Sequence, residues 1–194
     1  MNIIKGDPMI PGTVFPKEKM GNVTGMDFLD KIFYISDGIM FNEIRSITGL
    51  DLTTLQNWVR RGWVPNPKNK KYDKDTVSRI LIICMLKKSM TLEHIDVLLR
   101  YINGTIGDKR DDIIPESRLY DYICRIIDEL TAYDCEKGHV TNDTLLMTIE
   151  KCTTDYAERF SGARRRLISA LEIIVVSYYA VLLTAYADKR FSEL

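Results

Sequence analysis

The chain has 194 residues, of which 45% are hydrophobic, and this excludes a disordered tail protein because a folded core of ordinary size can form. Basic and acidic residues both total 27, so the zero net charge gives no whole-chain argument for nucleic acid. The four cysteines lack CxxC spacing and the first residues lack the pattern of a secretory signal, so we expect a cytoplasmic protein.

The charge is unevenly distributed along the chain. Residues 53–90 contain nine basic and two acidic side chains, whereas residues 91–160 contain fifteen acidic and eight basic ones. Such asymmetry indicates a basic binding module beside an acidic module that contacts a partner or has a regulatory role. Two solvated surfaces of different charge are the alternative.

The first 37 residues predict an arm and one short helix. Prolines and glycines are frequent in residues 1–27, which favours an extended arm. Apolar residues then recur at helical spacing from Phe28 to Ile35, before Gly38.

Two helices separated by a glycine turn are predicted next. Apolar residues in the range 41–47 lie on one helix face, and Gly49 ends that helix because glycine adopts a left-handed turn at little cost. Asp51 is a suitable N-cap for a second helix that runs to about Arg61, before Gly62. Helix, tight turn and helix form a helix-turn-helix unit.

The rest of the chain predicts further helices and no strand outside one basic segment. That segment, Pro65–Tyr72, reads as a short loop or β-wing. The predicted helices cover about residues 73–88, 91–103, 116–132, 143–160 and 163–190. We therefore predict a mainly α fold with an N-terminal arm and helix (1–37), a helix-turn-helix region (38–104) and a C-terminal helical dimerisation or sensing unit (105–194).

The last predicted helix has two interpretations. Residues 167–187 are long and apolar enough to anchor the chain in a membrane. However, Glu172 lies inside this stretch, and its longest uncharged run, Ile173–Ala187, is short for a span. We favour a buried or dimer-forming helix and expect no membrane.

Several short motifs in this order resemble the MerR family of DNA-binding regulators. The matching residues are Thr48-Gly49-Leu50, Thr54-Leu55, Gly62-Trp63-Val64-Pro65, Lys71-Tyr72, Arg79 and Thr91-Leu92-Glu93-His94-Ile95. The resemblance implies a winged helix-turn-helix and a dimeric transcription regulator. The chain as a whole also resembles the domain-of-unknown-function family 1836, through Trp58–Val64, Tyr101–Gly104 and Asp111–Ile114.

A recognition helix needs side chains that reach base edges in the major groove, and a wing needs cations for phosphates. Gln56 and Asn57 can each pair with adenine, and Thr53 can contact a thymine methyl group. The predicted DNA-binding residues are Thr53, Gln56, Asn57, Arg60, Arg61, Lys68, Lys70, Lys71 and Tyr72.

Other chemistry is poorly supported by the sequence. Trp58 and Trp63 are expected in the core, and Cys135 with His139 lack the second pair that a zinc site needs. Phosphate-binding loops and nucleophile elbows are also missing, so we expect neither an enzyme nor a cofactor. We predict a DNA-binding transcriptional regulator whose partners are double-stranded DNA and a second copy of the chain. The alternative is a protein-interaction module built on a winged-helix fold.

Overall fold

A computed structural model describes residues 9–108, 110–137 and 140–194. These residues form eight α-helices, one short 3-10 helix (Lys17–Met20) and a two-stranded sheet, so the prediction of a mainly helical fold is confirmed. The helices are α1 (Gly25–Ile32), α2 (Phe41–Thr48), α3 (Leu52–Arg60), α4 (Lys74–Leu86), α5 (Leu92–Asn103), α6 (Glu116–Lys137), α7 (Asn142–Cys152) and α8 (Ala163–Ser192). Strands β1 (Ile39–Met40) and β2 (Lys71–Tyr72) pair antiparallel.

Helix α4 lies at the centre of the hydrophobic core. Its sequence is apolar on nearly every side, so it must be surrounded by other elements. Every residue in the range 76–83 is buried, and α2, α5, α6 and α8 all pack against this helix. Helix α6 forms the second layer, where it contacts α1, α7 and α8.

The N-cap predicted at Asp51 is present, and two further helices are capped in the same way. The side chain of Asp51 accepts a hydrogen bond from the backbone N–H of Thr54 at the start of α3 (2.8 Å). Asp73 does the same for Thr76 at the start of α4, and Thr91 caps α5. These bonds satisfy backbone donors that have no partner inside the helix.

Some helix boundaries differ from the sequence prediction. Helix α1 begins and ends earlier than expected, so Ile35 lies outside it and is almost fully exposed. Helix α7 ends at Cys152 because the chain turns at Thr153, whose hydroxyl donates to the carbonyl oxygen of Ile149 (2.8 Å).

The segment before α1 packs on the helical body. Ile10 is fully buried, and the hydroxyl of Tyr120 donates to the carbonyl oxygen of Pro11 (2.7 Å). Gly12 has a φ of 77°, and a Cβ atom at this position would lie 2.2 Å from the carbonyl oxygen of Leu81. Residues 9–24, which the sequence predicts to be extended, therefore lie closely against α4 and α6.

Helix α8 has two different halves. Its first half is in the core, where Leu167, Leu171 and Ile174 are fully buried. The part after Tyr178 is largely exposed although it remains apolar. Among the described residues, α8 is the one helix long and apolar enough to cross a membrane by length and composition, and 33% of its most apolar stretch is buried within the protein.

The close approach of Gly12 to α4 generates a stability prediction. Gly12→Ala introduces both an unfavourable positive φ and a clash with the backbone of Leu81. Gly62 also has a positive φ, of 70°, but a Cβ atom there would meet nothing within 4 Å, so Gly62→Ala is the matched control. We expect Gly62→Ala to lower the free energy of unfolding by about 1–2 kcal/mol and Gly12→Ala by about 1–3 kcal/mol more, as measured by urea denaturation. Equal losses would show that residues 9–24 do not pack on α4.

Candidate nucleic-acid interface

Helices α2 and α3 are joined by a tight turn. Gly49 has a φ of 71°, and its N–H donates to the carbonyl oxygen of Arg45 (2.8 Å). The inner face of α3 is held in the core by Leu55 and Trp58, which are almost completely buried. The opposite face of α3 is consequently turned to solvent.

Three of the four predicted DNA-binding residues of α3 are exposed on this outer face. They are Thr53, Gln56 and Arg60. Asn57 is half-buried, and its side-chain oxygen accepts a hydrogen bond from the guanidinium of Arg60 (2.5 Å). Gln56 therefore has an exposed amide, whereas the amide of Asn57 is already engaged by its neighbour.

The basic segment after α3 forms a tight hairpin at residues 68–71. The N–H and carbonyl groups of Lys68 and Lys71 bond each other in both directions (2.9 Å each). The two residues between them, Asn69 and Lys70, have φ values of 50° and 63°. Two successive residues with positive φ are typical of the type I′ turn, which favours asparagine at its first position. The asparagine was the available sequence signal for this hairpin.

The short sheet fixes the hairpin beside the start of α2. In this sheet Ile39 lies opposite Tyr72 and Met40 lies opposite Lys71, and α2 begins directly after Met40. The ammonium of Lys71 also donates to the hydroxyl of Ser36 (3.1 Å). Lys68, Lys70 and Lys71 are all exposed.

Two further predicted residues have partners inside the protein. The guanidinium of Arg61 lies 4.9 Å from the centre of the Trp63 ring and 3.4 Å from the carboxylate of Glu93. Tyr72 is only 7% exposed, and burial raises the pKa of its phenol. Tyr72 thus belongs to the core and does not lie on the outer surface with the lysines.

One other sequence expectation concerns the two tryptophans near this surface. Trp58 and Trp63 are both buried, as predicted for core residues.

Arg45, which was not predicted from the sequence to bind DNA, is exposed on α2, the helix before the turn. In helix-turn-helix proteins the first helix crosses the DNA backbone, so a basic residue on the helix before the turn is the sequence signal for a possible contact of that kind.

A buried arginine links the segment after α3 to the C-terminal helices. The side chain of Arg79 on α4 is only 4% exposed. Its Nε donates to the carbonyl oxygen of Trp63 (2.6 Å), and its Nη1 donates to Glu116 at the start of α6. Its Nη2 lies 3.6 Å from Asp96 on α5. Arg79 therefore joins four elements through one side chain.

Glu116 is an unusual carboxylate. Its pKa is raised to about 7, mainly by burial; the charges of Asp75 and Asp112 act in the same direction, and the neighbouring Arg79 acts in the opposite one. The Oε2 atom of Glu116 is buried and has no hydrogen-bond partner among the described residues.

A cavity of about 470 Å³ lies beside Arg79 and Glu116. It is lined by four parts of the chain: Asp37 and Gly38 before β1, the hairpin and its flanks (residues 65–73), the first turns of α4, and residues between Asn103 and the start of α6. The lysines Lys68 and Lys71 of the hairpin belong to its lining. The cavity thus lies between the hairpin and the helical body.

The cysteines and possible metal ligands show no sign of reactivity in the described part of the chain. Burial raises the pKa of the Cys84 and Cys124 thiols to about 12. Within residues 9–108, 110–134 and 140–194, no group of three or more His, Cys, Asp or Glu side chains could hold a metal ion. The side chains of Cys135 and His139 lie outside the described residues.

The chain belongs to the family described as "Domain of unknown function (DUF1836)", which matches residues 27–123. This match confirms the resemblance to that family over residues 27–123 and covers most of α1, both helices around the turn, the hairpin and Arg79. The chain is 31% identical over 107 residues to "Uncharacterized protein YkrK" of Bacillus subtilis (strain 168), across 50% of this chain and 46% of YkrK. The chain therefore matches less than half the length of that relative. No solved structure matches it.

Proposed function

We propose that this chain is a DNA-binding transcriptional regulator in which α2, α3 and the hairpin form a MerR-like winged helix-turn-helix. The observation that carries the proposal is the division of α3 into a buried apolar face and an exposed polar face, with a basic hairpin following in the chain. A helix of this kind fits the major groove, which is about 12 Å wide in B-DNA. The proposed regulator is cytoplasmic.

Base recognition is assigned to the outer face of α3. An exposed glutamine can form two hydrogen bonds with adenine, and the methyl group of a threonine can contact thymine. Gln56 and Thr53 supply these groups without first breaking a contact inside the protein, whereas Asn57 must release Arg60. Gln56 is therefore the principal base-reading residue in this proposal.

Phosphate binding is assigned to the basic side chains around α3. The contributors are Arg45, Arg60, Arg61, Lys68, Lys70 and Lys71, all of them exposed. Such contacts position a protein on the duplex without reading its sequence. They also release counterions, so binding must weaken as salt concentration rises.

A second copy of the chain is the proposed partner of α8. Five exposed residues on this helix, Ile173, Val176, Ala180, Leu183 and Ala187, alternate in spacings of three and four. This is the seam of a two-stranded coiled coil, and a two-fold dimer would pair two DNA-binding units. The largely exposed stretch from Tyr179 to Ser192 is about 21 Å long and falls short of the roughly 30 Å hydrocarbon core of a bilayer. A membrane span would require the buried half of α8 to leave the protein.

The hairpin generates a prediction that separates DNA binding from folding. Lys70 has a positive φ, so Lys70→Gly should relieve strain and raise the free energy of unfolding by about 1 kcal/mol. The same change removes a phosphate contact, so the slope of log affinity against log salt, about −5 for the unmodified protein, should become less steep by about 1.

The measurement is a titration of random-sequence duplex DNA at several salt concentrations, with Lys70→Glu as a stronger variant. Lys19→Glu makes the same charge change on the exposed 3-10 helix and should leave binding nearly unchanged. If the unmodified protein binds no duplex at low salt, the DNA proposal fails and a protein partner for this surface is favoured.

Base reading by α3 is tested on a preferred site selected from random duplexes. Gln56→Ala should lose roughly 1–3 kcal/mol of binding free energy on that site and much less on random DNA. Asn57→Ala is the neighbouring control and should lose less specificity, because its amide is held by Arg60. Equal losses by Gln56→Ala on both DNAs would mean that this side chain only positions the helix.

The proposed dimer is tested by Val176→Glu combined with Leu183→Glu. Both residues are half-exposed in the single chain, so the variant should fold normally, but it would bury unpaired charges in a dimer. We expect light scattering to report a dimer for the unmodified protein and a monomer for the variant. Val97→Glu on α5, another exposed valine, is the control and should remain dimeric. A monomeric unmodified protein contradicts the dimer, and a chain recovered only from membranes contradicts the soluble form.

A further inference from the structure

We propose that the cavity beside Glu116 binds a small organic cation, with a protonated amine or amidine seated on the Glu116 carboxylate. The cavity lies between the basic hairpin and the helical body, so the bound cation would regulate the hairpin. That regulatory consequence depends on the DNA-binding function proposed above, whereas the binding of the cation does not.

The need for a cation arises at Glu116, which lines the cavity together with Arg79. Arg79 holds one oxygen of Glu116, but the other oxygen, Oε2, is buried and has no hydrogen-bond partner among the described residues. The Nη2 of Arg79 is likewise buried without a hydrogen bond, but it lies 3.6 Å from the carboxylate of Asp96, which balances its charge. A buried acceptor without a donor costs free energy. A carboxylate that turns toward the cavity would accept a hydrogen bond from a ligand N–H group, and the positive charge of the ligand would stabilise its ionised form.

The charge of the whole lining favours the same ligand class. Five carboxylates line the cavity, against three basic side chains. The charges of Asp75 and Asp112 each raise the pKa of Glu116, so further negative charge lies close to this carboxylate. An anionic ligand would add to this excess, whereas a cation reduces it.

The size and chemistry of the cavity favour an organic cation over a metal ion. Within the described residues no set of carboxylates, histidines or cysteines is arranged to hold a metal. The volume of about 470 Å³ lies within the range typical of small-molecule sites. Pro65, Tyr72 and Ile106 provide apolar surface for the hydrocarbon part of such a ligand.

The position of the cavity explains how its ligand would act on DNA binding. Lys68, Asn69 and Lys71 of the hairpin line the cavity on one side, and Glu116 of α6 lines it on the other. A ligand that contacts both sides favours one position of the hairpin relative to the body. Because the hairpin lysines are proposed phosphate contacts, the ligand must then change the affinity for DNA.

Binding is tested on the protein alone by isothermal titration calorimetry at pH 8, where Glu116 is mostly ionised. The probe is agmatine, which carries an ammonium and a guanidinium, and the controls are adipate (an anion) and 1,6-hexanediol (neutral) of similar length. We expect saturable binding of agmatine and none of the controls. Glu116→Gln should weaken agmatine binding by about tenfold or more, while Glu129→Gln, an exposed carboxylate on the same helix, should not.

A second variant keeps the test valid if Glu116→Gln does not fold, which circular dichroism would reveal. Thr105→Trp places a large side chain at an exposed position of the cavity lining and should abolish agmatine binding by filling the space. The proposal is overturned if no probe binds, if adipate binds in place of agmatine, or if folded Glu116→Gln and Thr105→Trp variants bind agmatine as the unmodified protein does. It is also overturned if Mn²⁺ displaces agmatine stoichiometrically, since the site would then be a metal site.

The regulatory step is tested separately by titrating DNA with and without agmatine at constant ionic strength. Agmatine should change the affinity of the unmodified protein for DNA and leave that of Thr105→Trp unchanged. Equal effects on both proteins would overturn the coupling. If the protein binds agmatine but no DNA, the DNA-binding function fails while the cation site stands.

Discussion

The structure depends on the buried guanidinium of Arg79. This side chain comes from the most central helix and bonds the carbonyl oxygen of Trp63, Glu116 of α6 and, more loosely, Asp96 of α5. Removing one partner of a buried ion pair typically costs about 3–5 kcal/mol, because the remaining charge is left without compensation. The loop after α3 and the start of α6 are therefore held in a fixed relation by electrostatics as well as by packing.

The fixed positions of these elements determine how α3 and the hairpin are presented to solvent. Helix α3 is fixed from inside by Leu55 and Trp58, so its polar face is presented on a rigid support. The hairpin is fixed at its base by the two-residue sheet, but its tip is held mainly by its own turn. A rigid helix beside a less constrained basic hairpin is compatible with the proposed DNA binding and with its proposed regulation by a ligand.

Helix α8 is also divided into a half that supports the fold and a half that is exposed to solvent. The buried half completes the core against α4 and α6, and the exposed half extends beyond it with an apolar stripe at coiled-coil spacing. An apolar stripe of this kind is costly to leave in water. The proposed dimer covers it without disturbing the core that supports α3.

The sequence alone determined the local features. Helix caps such as Asp51 and the glycine turn at Gly49 act through backbone groups within a few residues, so they can be read directly from the chain. The amphipathic pattern of α3 predicted the exposure of Thr53, Gln56 and Arg60, but the apolar Leu52 is also exposed, and Asn57 is half-buried and engaged by Arg60. The hairpin was only partly predictable, because Lys70 is not a typical residue for positive φ.

Only the tertiary structure decided the contacts between residues distant in sequence. Arg79 and Glu116 are 37 positions apart, and nothing near either residue indicates that they pair or that a cavity forms beside them. The burial of Ile10 and Tyr72 also depends on surfaces supplied by other helices. Local sequence patterns report the preferences of a segment, whereas burial and the pairing of charges depend on which segments meet when the chain folds.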